Sequence, residues 1–196
     1  MAIRLIPDLD EELSTRNPLV LTIPNVLSAV ECAAFIERME GGGLTDAPIT
    51  TNRGFVHRPD IRNNTRVMFD DAPFAQKLFE RVCAHLPERL EGASLAVGAN
   101  ERLRCYRYLP GQYFAPHFDG HFRRDDGDES LLTLMVYLNE CEGGGHTVFT
   151  DLELDVKPAV GMALLFNHRL LHEGAKVTEG VKYAVRSDVM YRAQRV

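Results

Sequence analysis

The second half of the chain consists of short runs of β-branched, aromatic and aliphatic residues. Glycine, proline, asparagine and aspartate separate these runs at short intervals. Many short strands with regular turn residues predict an antiparallel sandwich or barrel. The predicted strands lie at 94–97, 102–108, 131–138, 147–149, 152–156, 162–166 and 183–191.

Two helical patterns precede these strands, and each has a recognisable start. Ser28 and, three residues later, Glu31 form a capping-box pattern ahead of an apolar helical face. Asp71 is a candidate N-cap for a second helix over 72–86. We therefore predict supporting helices before the β-rich part.

The segments around these helices are less regular. We predict a polar lead-in over 1–17, a first strand over 18–23 and an irregular polar stretch over 44–71. This stretch contains Arg62-Asn-Asn-Thr-Arg66, which is either a solvated loop or a loop that lends polar groups to a substrate pocket.

Size and charge limit the classes of function. A chain of 196 residues suits one domain. We predict helical support over about 1–93 and a β-rich core over about 94–196. The net charge of -6 argues against a nucleic-acid partner bound mainly through phosphates. No apolar run has the roughly 20 residues of a membrane span, so we expect no membrane partner; the oligomeric state is not predicted.

The cysteine pattern indicates the compartment. The four cysteines form no C-x-x-C pair, which is typical of buried thiols in a cytosolic protein and not of a disulfide framework or a zinc site. The first residues also lack the apolar core of a signal peptide. We therefore predict a cytoplasmic protein. The cysteines are Cys32, Cys83, Cys105 and Cys141.

A His-x-Asp pair, His117 and Asp119, provides the first candidate metal ligands. By itself this spacing is a weak signal, but His172 lies far along the chain near a late strand, and distant strands meet across the interior of a barrel. Two imidazoles and one carboxylate leave adjacent positions open on Fe(II) for an oxoacid and dioxygen. We therefore predict that these three residues bind a redox metal and form the catalytic centre.

Other histidines are alternative ligands. His117 and His121 have an H-x-x-x-H spacing, but the Pro116 and Gly120 around them argue against the helix that this zinc motif requires. The sequence does not decide whether His146 and His168 lie near the site or are surface or core polar residues.

A late strand carries two cations on one face. Lys182 and Arg186 share a face with Ala184 between them if residues 183–191 form a strand. A buried cation needs a partner, and a dicarboxylate ligand would supply one. The competing interpretation is two exposed charges paired with nearby acids.

Several segments, in order over residues 100–191, together resemble the prolyl 4-hydroxylase-type branch of the 2-oxoglutarate- and Fe(II)-dependent dioxygenases. The combination is far more specific than any one motif. The segments are Tyr108-Leu-Pro-Gly-Gln-Tyr-Phe-Ala-Pro-His117-Phe-Asp119, Leu134-Met-Val-Tyr-Leu-Asn139, Gly143-Gly-Gly-His-Thr147, the stretch from Pro158 to His172, and Gly180-Val-Lys182-Tyr.

The resemblance implies a fold, a cofactor set and residue roles. The fold would be a double-stranded β-helix (jelly-roll, cupin-like) core preceded by N-terminal helices. The protein would require Fe(II), 2-oxoglutarate and dioxygen, and ascorbate would act as a reductant. The metal ligands would be His117, Asp119 and His172, and Tyr108 and Thr147 would donate hydrogen bonds to 2-oxoglutarate. Lys182, ten residues after His172, matches the basic residue that binds the far carboxylate, and Arg186 matches other branches.

The implied reaction is hydroxylation of an unactivated C–H bond with release of succinate and CO₂. The substrate is predicted as a small molecule or a peptide residue, and Arg104 and Tyr106 are predicted to line its pocket. The alternative function is a cupin-like sensor that binds metal and 2-oxoglutarate without turnover. The charged run at 123–129 is either a lid or a solvated turn. A nucleic-acid demethylase would require a basic face, which this acidic chain does not predict.

Overall fold

The computed structural model describes residues 3–4, 20–51, 53–87, 90 and 95–192. Most of the predicted lead-in, the first two residues of the first predicted strand and Ser94 lie outside them. The described residues form two α-helices and seventeen strands. The helices are α1 (Ala29–Gly41) and α2 (Ala72–Val82). The strands are β1 (Ile3–Arg4), β2 (Val20–Ile23), β3 (Thr45–Asp46), β4 (Ile49–Thr51), β5 (Gly54–Val56), β6 (Thr65–Asp70), β7 (Leu95–Ala99), β8 (Arg102–Tyr108), β9 (Phe114–His117), β10 (Glu129–Tyr137), β11 (Gly143–Gly144), β12 (Thr147–Phe149), β13 (Leu154–Val156), β14 (Ala163–Asn167), β15 (His172–Gly174), β16 (Val177–Glu179) and β17 (Lys182–Arg192).

Two antiparallel sheets form the core. The larger has nine strands in the order β1-β2-β14-β10-β17-β8-β6-β3, with β7 also paired to β17. The smaller has the order β13-β12-β15-β9. Side chains from both sheets line one cavity, so the sheets face each other as in a jelly roll. The predicted β-rich fold with supporting helices is confirmed.

The helices cover the outer face of the larger sheet. In α1, the Glu31 amide donates to Ser28 Oγ (3.2 Å) and the Ser28 amide donates to Glu31 Oε2 (2.8 Å), which confirms the capping box. In α2, the Phe74 amide donates to Asp71. The second helix ends earlier than predicted, at Val82, and a 3₁₀ turn over Cys83–His85 follows. Burial of the inner helix faces against the sheet leaves the sheet's other face for the cavity.

The prediction of an irregular stretch over 44–71 was wrong. This stretch contains four strands, and β6 pairs along its whole length with β8, where Arg66 lies opposite Tyr106. The polar residues of this stretch do not by themselves predict a strand. β6 forms because pairing with a neighbour in the larger sheet stabilises it more than its own sequence pattern does. Residues before 94 therefore supply strands as well as helices, and the single-domain division stays a prediction.

A glycine permits close packing between a loop and α1. Gly161 has a φ of 70°, and a Cβ there would lie 1.8 Å from the carbonyl oxygen of Leu27. The Gly161 carbonyl accepts bonds from the Val26 and Leu27 amides. Only glycine fits both the left-handed backbone and this approach.

Three further predictions can be compared with the structure. Cys83 is exposed, so the prediction of four buried thiols was wrong for this residue. In the charged run, Asp128 is buried and paired with Arg192, and Arg124 is paired with Glu101. These ion pairs favour a fixed turn over a lid. No helix among the described residues is long and apolar enough to cross a membrane.

Candidate active site

The cavity between the two sheets contains about 460 Å³ of empty space. Strands β8, β10, β14 and β17 of the larger sheet form one wall, and β9, β12 and β15 of the smaller sheet form the other. The lining residues are Tyr106, Tyr108, Phe114, His117, Asp119, Thr133, Met135, Thr147, Phe166, His172, Glu173, Gly174, Lys182, Ala184 and Arg186.

Three potential metal ligands converge in this cavity. His117 in β9 and His172 in β15 are direct partners in the strand register, so their rings lie side by side. Asp119 follows β9 by two residues. The ligand atoms of the three side chains all lie within 4.8 Å of one another. Antiparallel pairing therefore brings together ligands that are far apart along the chain.

The two imidazoles have the protonation that a metal requires. His117 Nδ1 lies 2.9 Å from the Ala115 carbonyl oxygen, and His172 Nδ1 lies 2.9 Å from that of Leu170. A carbonyl only accepts, so Nδ1 carries the proton, and the lone pair of Nε2 faces the space between the rings and Asp119 where a metal would lie. Burial lowers the pKa of both rings; in His117, burial and the charge of a protonated His172 together lower it to about 3. Both rings are therefore neutral at pH 7.

The Asp119 carboxylate is held at both oxygens. Thr133 Oγ1 donates to Oδ2 (2.6 Å), and Arg186 Nη1 lies 2.7 Å from Oδ1. Burial would raise the pKa of Asp119, but the charge of Arg186 and, at the acid pH where they are protonated, the charges of the two histidines lower it below its usual value. The carboxylate is therefore ionised and oriented before any ligand binds.

The two cations of β17 that line the cavity have different surroundings. Arg186 pairs with Asp119 and also with Asp188 (2.9 Å), and these acids raise its pKa against the effect of burial. Lys182 is 3% exposed and has no carboxylate partner among the described residues. Its Nζ lies 5.3 and 5.4 Å from the ring centroids of Tyr108 and Tyr137, and burial lowers its pKa to about 8. Lys182 is thus the cation that lacks a counter-charge.

Two hydroxyl groups in the same cavity as Lys182, those of Tyr108 and Thr147, can donate hydrogen bonds to a ligand. Burial raises the pKa of Tyr108 to about 12, so its hydroxyl keeps a proton to donate. The Tyr137 hydroxyl donates to Thr147 Oγ1 (2.7 Å). Since Thr147 accepts this bond, its own proton is free for a ligand in the cavity.

Comparison with known proteins identifies the family. Residues 103–187 match the model of the 2OG-Fe(II) oxygenase superfamily. A putative prolyl 4-hydroxylase of Acanthamoeba polyphaga mimivirus is 27% identical over 185 residues, covering 85% of this chain and 71% of the relative. A probable prolyl 4-hydroxylase 11 of Arabidopsis thaliana is 38% identical over 170 residues, covering 79% and 58%.

A solved structure agrees with these relatives. The viral collagen prolyl hydroxylase of Paramecium Bursaria Chlorella virus-1, in complex with 2OG, is 26% identical with a TM-score of 0.61, covering 87% of this chain and 95% of the other. The chain belongs to the 2OG-Fe(II) oxygenase superfamily. It is of the prolyl 4-hydroxylase type, an Fe(II)- and 2-oxoglutarate-dependent hydroxylase.

The cavity fits the cofactor and cosubstrate of this oxygenase. Neutral imidazoles and an ionised carboxylate are the donor set that Fe(II) takes in such enzymes, and no thiol competes for the metal within the cluster. An uncompensated lysine charge in the same cavity fits a dicarboxylate.

Several predicted residues lie elsewhere in the oxygenase. Tyr106 lines the cavity, but Arg104 lies outside its lining and pairs with Asp188 (3.0 Å). His146 pairs with Asp155. His168 is buried with Nε2 3.4 Å from Asp188, so it is near the site without belonging to the ligand cluster. His121, the alternative ligand of the H-x-x-x-H spacing, is exposed.

Three residues of the site were not predicted. Thr133 and Tyr137 lie on one face of β10 and contact Asp119 and Thr147. Phe114 stacks on His117 with ring centroids 3.5 Å apart and 17° between planes. The polar threonine within the apolar run at 131–138 was the available signal, because a buried hydroxyl needs a partner.

Proposed function

We propose that His117, Asp119 and His172 hold the iron of a hydroxylase that acts on an unactivated C–H bond. The substrate C–H, dioxygen and 2-oxoglutarate become the hydroxylated product, succinate and CO₂. The convergence of two neutral imidazoles and one ionised carboxylate carries this assignment. Bound Fe(II) supplies the activation of dioxygen, while the protein positions and shields the reactants.

Lys182 is proposed as the main anchor of the far carboxylate of 2-oxoglutarate. It is buried with no counter-charge among the residues that the structure describes, so a dicarboxylate removes a cost that the free protein bears. Tyr108 and Thr147 are proposed as hydrogen-bond donors to the same molecule. The sequence left open whether Lys182 or Arg186 is the main anchor, but the ion pairs of Arg186 with Asp119 and Asp188 favour a role for Arg186 in positioning the Asp119 carboxylate.

Substrate and compartment are also proposals. The relatives named as prolyl hydroxylases support a peptide residue as substrate, and the small cavity is equally suited to a free small molecule. The unpaired cysteines support a cytoplasmic location.

The proposed function is tested with purified protein, Fe(II) and labelled 2-oxoglutarate, by measuring succinate and CO₂ with and without a panel of peptides and metabolites. We expect slow turnover without substrate and faster turnover with one panel member. Complete inactivity, together with retained 2-oxoglutarate binding, would instead support the sensor function.

The anchor assignment is tested by comparing Lys182→Ala with Arg186→Ala. The lysine variant should lose 2-oxoglutarate affinity by roughly 10- to 100-fold, since a hydrogen bond to a charged group contributes about 1.5–3 kcal/mol. The arginine variant should mainly weaken metal binding. The reverse order of effects would exchange the two roles.

A further inference from the structure

Among the residues that the structure describes, two arginines beside the cavity lack the acidic partners that neighbouring arginines have. Arg62 is 7% exposed; its Nε donates to Asn64 Oδ1 (2.7 Å), and its buried Nη2 has no hydrogen-bond partner within the described ranges. Arg66 is half-buried, and its guanidinium lies 5.4 Å from the centroid of the exposed Phe55 ring. Burial lowers the pKa of Arg66, and the charges of Arg62 and Arg104 lower it further.

The arginines of the adjacent strand β8 are neutralised. Arg102 pairs with Asp70, Arg104 with Asp188, and Arg107 with Glu40. No such carboxylate pairs with Arg62 or Arg66 among the described residues. The contrast is physically significant because a buried charge without a counter-charge or full hydrogen bonding lowers stability.

Aromatic rings connect this positive cluster to the metal ligands. The Arg62 guanidinium lies 4.7 Å from the Tyr106 ring centroid and 4.3 Å from that of Phe114. Both rings line the cavity, and Phe114 stacks on His117. Arg66 lies opposite Tyr106 in the strand register. One aromatic layer therefore separates the unpaired guanidinium of Arg62 from a metal ligand.

We propose that Arg62 and Arg66 bind a carboxylate of the substrate and so select anionic substrates. The inference rests on the proposed function, because it assigns the charge of the molecule that this site hydroxylates. Lys182 already accounts for the far carboxylate of 2-oxoglutarate, so the charge of the two arginines remains for the second reactant. Guanidinium groups bind carboxylates through paired N–H donors, which fixes orientation as well as charge.

The experiment uses matched probes that differ in one charge. Free L-amino acids are compared with their primary amides, and blocked peptides containing Asp-Pro are compared with the same peptides containing Asn-Pro. Succinate formation above the substrate-free rate gives kcat/KM for each probe. Calorimetry of each probe with the anaerobic protein, Fe(II) and 2-oxoglutarate gives binding without turnover.

We expect one carboxylate probe to exceed its amide by roughly 10- to 100-fold in kcat/KM, as for a charge-assisted hydrogen bond. The amino-acid and peptide arms show whether the carboxylate belongs to a free acid or to a side chain. Arg66→Gln should reduce the ratio of acid to amide towards one, and Arg62→Gln should do the same if it folds. The matched control is Arg102→Gln, which removes an exposed, paired arginine and should keep the wild-type ratio.

Two results would overturn the proposal. One is an equal response to both members of every pair, including no response to either. The other is an unchanged acid-to-amide ratio in Arg66→Gln, with a raised KM for 2-oxoglutarate instead. Substrate-free formation of succinate by the wild-type protein would leave the proposed function intact in both cases, so the two failures are distinguishable.

Discussion

Replacing Lys182 by methionine should stabilise the ligand-free protein while weakening its response to 2-oxoglutarate. Methionine has a similar length but no charge, so the substitution removes a buried cation that has no acidic partner in the described part of the chain. Burial lowers the pKa of Lys182 from 10.5 to about 8. At 1.36 kcal/mol per pKa unit, this shift corresponds to a cost of about 3 kcal/mol at pH 7.

The expected gain is smaller than this cost. The two cation–π contacts to Tyr108 and Tyr137 disappear with the charge, and at centroid distances of 5.3 and 5.4 Å each contributes about 0.5–1 kcal/mol. The net stabilisation at pH 7 should therefore be about 1–2 kcal/mol. Because the folded-state pKa of Lys182 is depressed, the cost is complete below about pH 8 and disappears as the pH rises towards 10.5. The difference between wild type and variant should shrink over that range.

Urea unfolding with Mn(II) as a non-reacting metal, with and without 2-oxoglutarate, measures both effects. At 100 times the wild-type Kd, the ligand should stabilise the wild type by about 2.7 kcal/mol. A 10- to 100-fold weaker affinity leaves the same ligand concentration at about 1–10 times the variant's Kd, so the variant should gain only about 0.4–1.4 kcal/mol. Lys157→Met, at an exposed position, is the control and should change stability by less than about 0.5 kcal/mol. A variant that is less stable than the wild type at pH 7, or that gains as much stability from 2-oxoglutarate as the wild type does, would refute the reasoning.

Three further substitutions test other parts of the structure. His172→Ala should abolish stoichiometric iron binding, measured by elemental analysis, whereas His121→Ala should retain it; the opposite result would assign the third ligand to the H-x-x-x-H pair. Tyr137→Phe should raise the KM for 2-oxoglutarate several-fold, because the Thr147 hydroxyl is then no longer oriented, and an unchanged KM would show that this bond does not orient it. Gly161→Ala should lower the free energy of unfolding by more than about 2 kcal/mol in urea titration, since its Cβ would overlap a backbone carbonyl, and a smaller loss would mean that the loop can move away.

The sequence predicts most of the candidate metal site because its ligands lie on or next to strands, where the position of a residue determines which residue lies opposite. The register that places His117 opposite His172 is a simple consequence of antiparallel pairing. Period-2 alternation likewise predicted that Lys182 and Arg186 face one cavity, and both line it.

The electrostatic partners could not be predicted in this way. The ion pair between Arg186 and Asp119 joins residues far apart in sequence, and nothing local distinguishes Arg186 from Lys182 as an anchor. The burial of Arg62 was equally hidden, because Arg62 precedes β6 and forms an isolated bridge with Phe114, much further along the chain. Side-chain partners across a sheet depend on topology, which a single sequence does not determine.

The position of β17 has a consequence for how this protein acquires its iron. β17 lies between β10 and β8 in the larger sheet, and it carries Lys182 and Arg186 into the cavity. These pairings close long loops, which makes folding slow compared with locally connected folds. His117 and Asp119 are close in sequence, but His172 joins them only when β15 pairs with β9 in the smaller sheet. A partly folded chain therefore binds iron weakly. Iron should bind after the chain has folded, and the bound iron should then reduce the rate of unfolding.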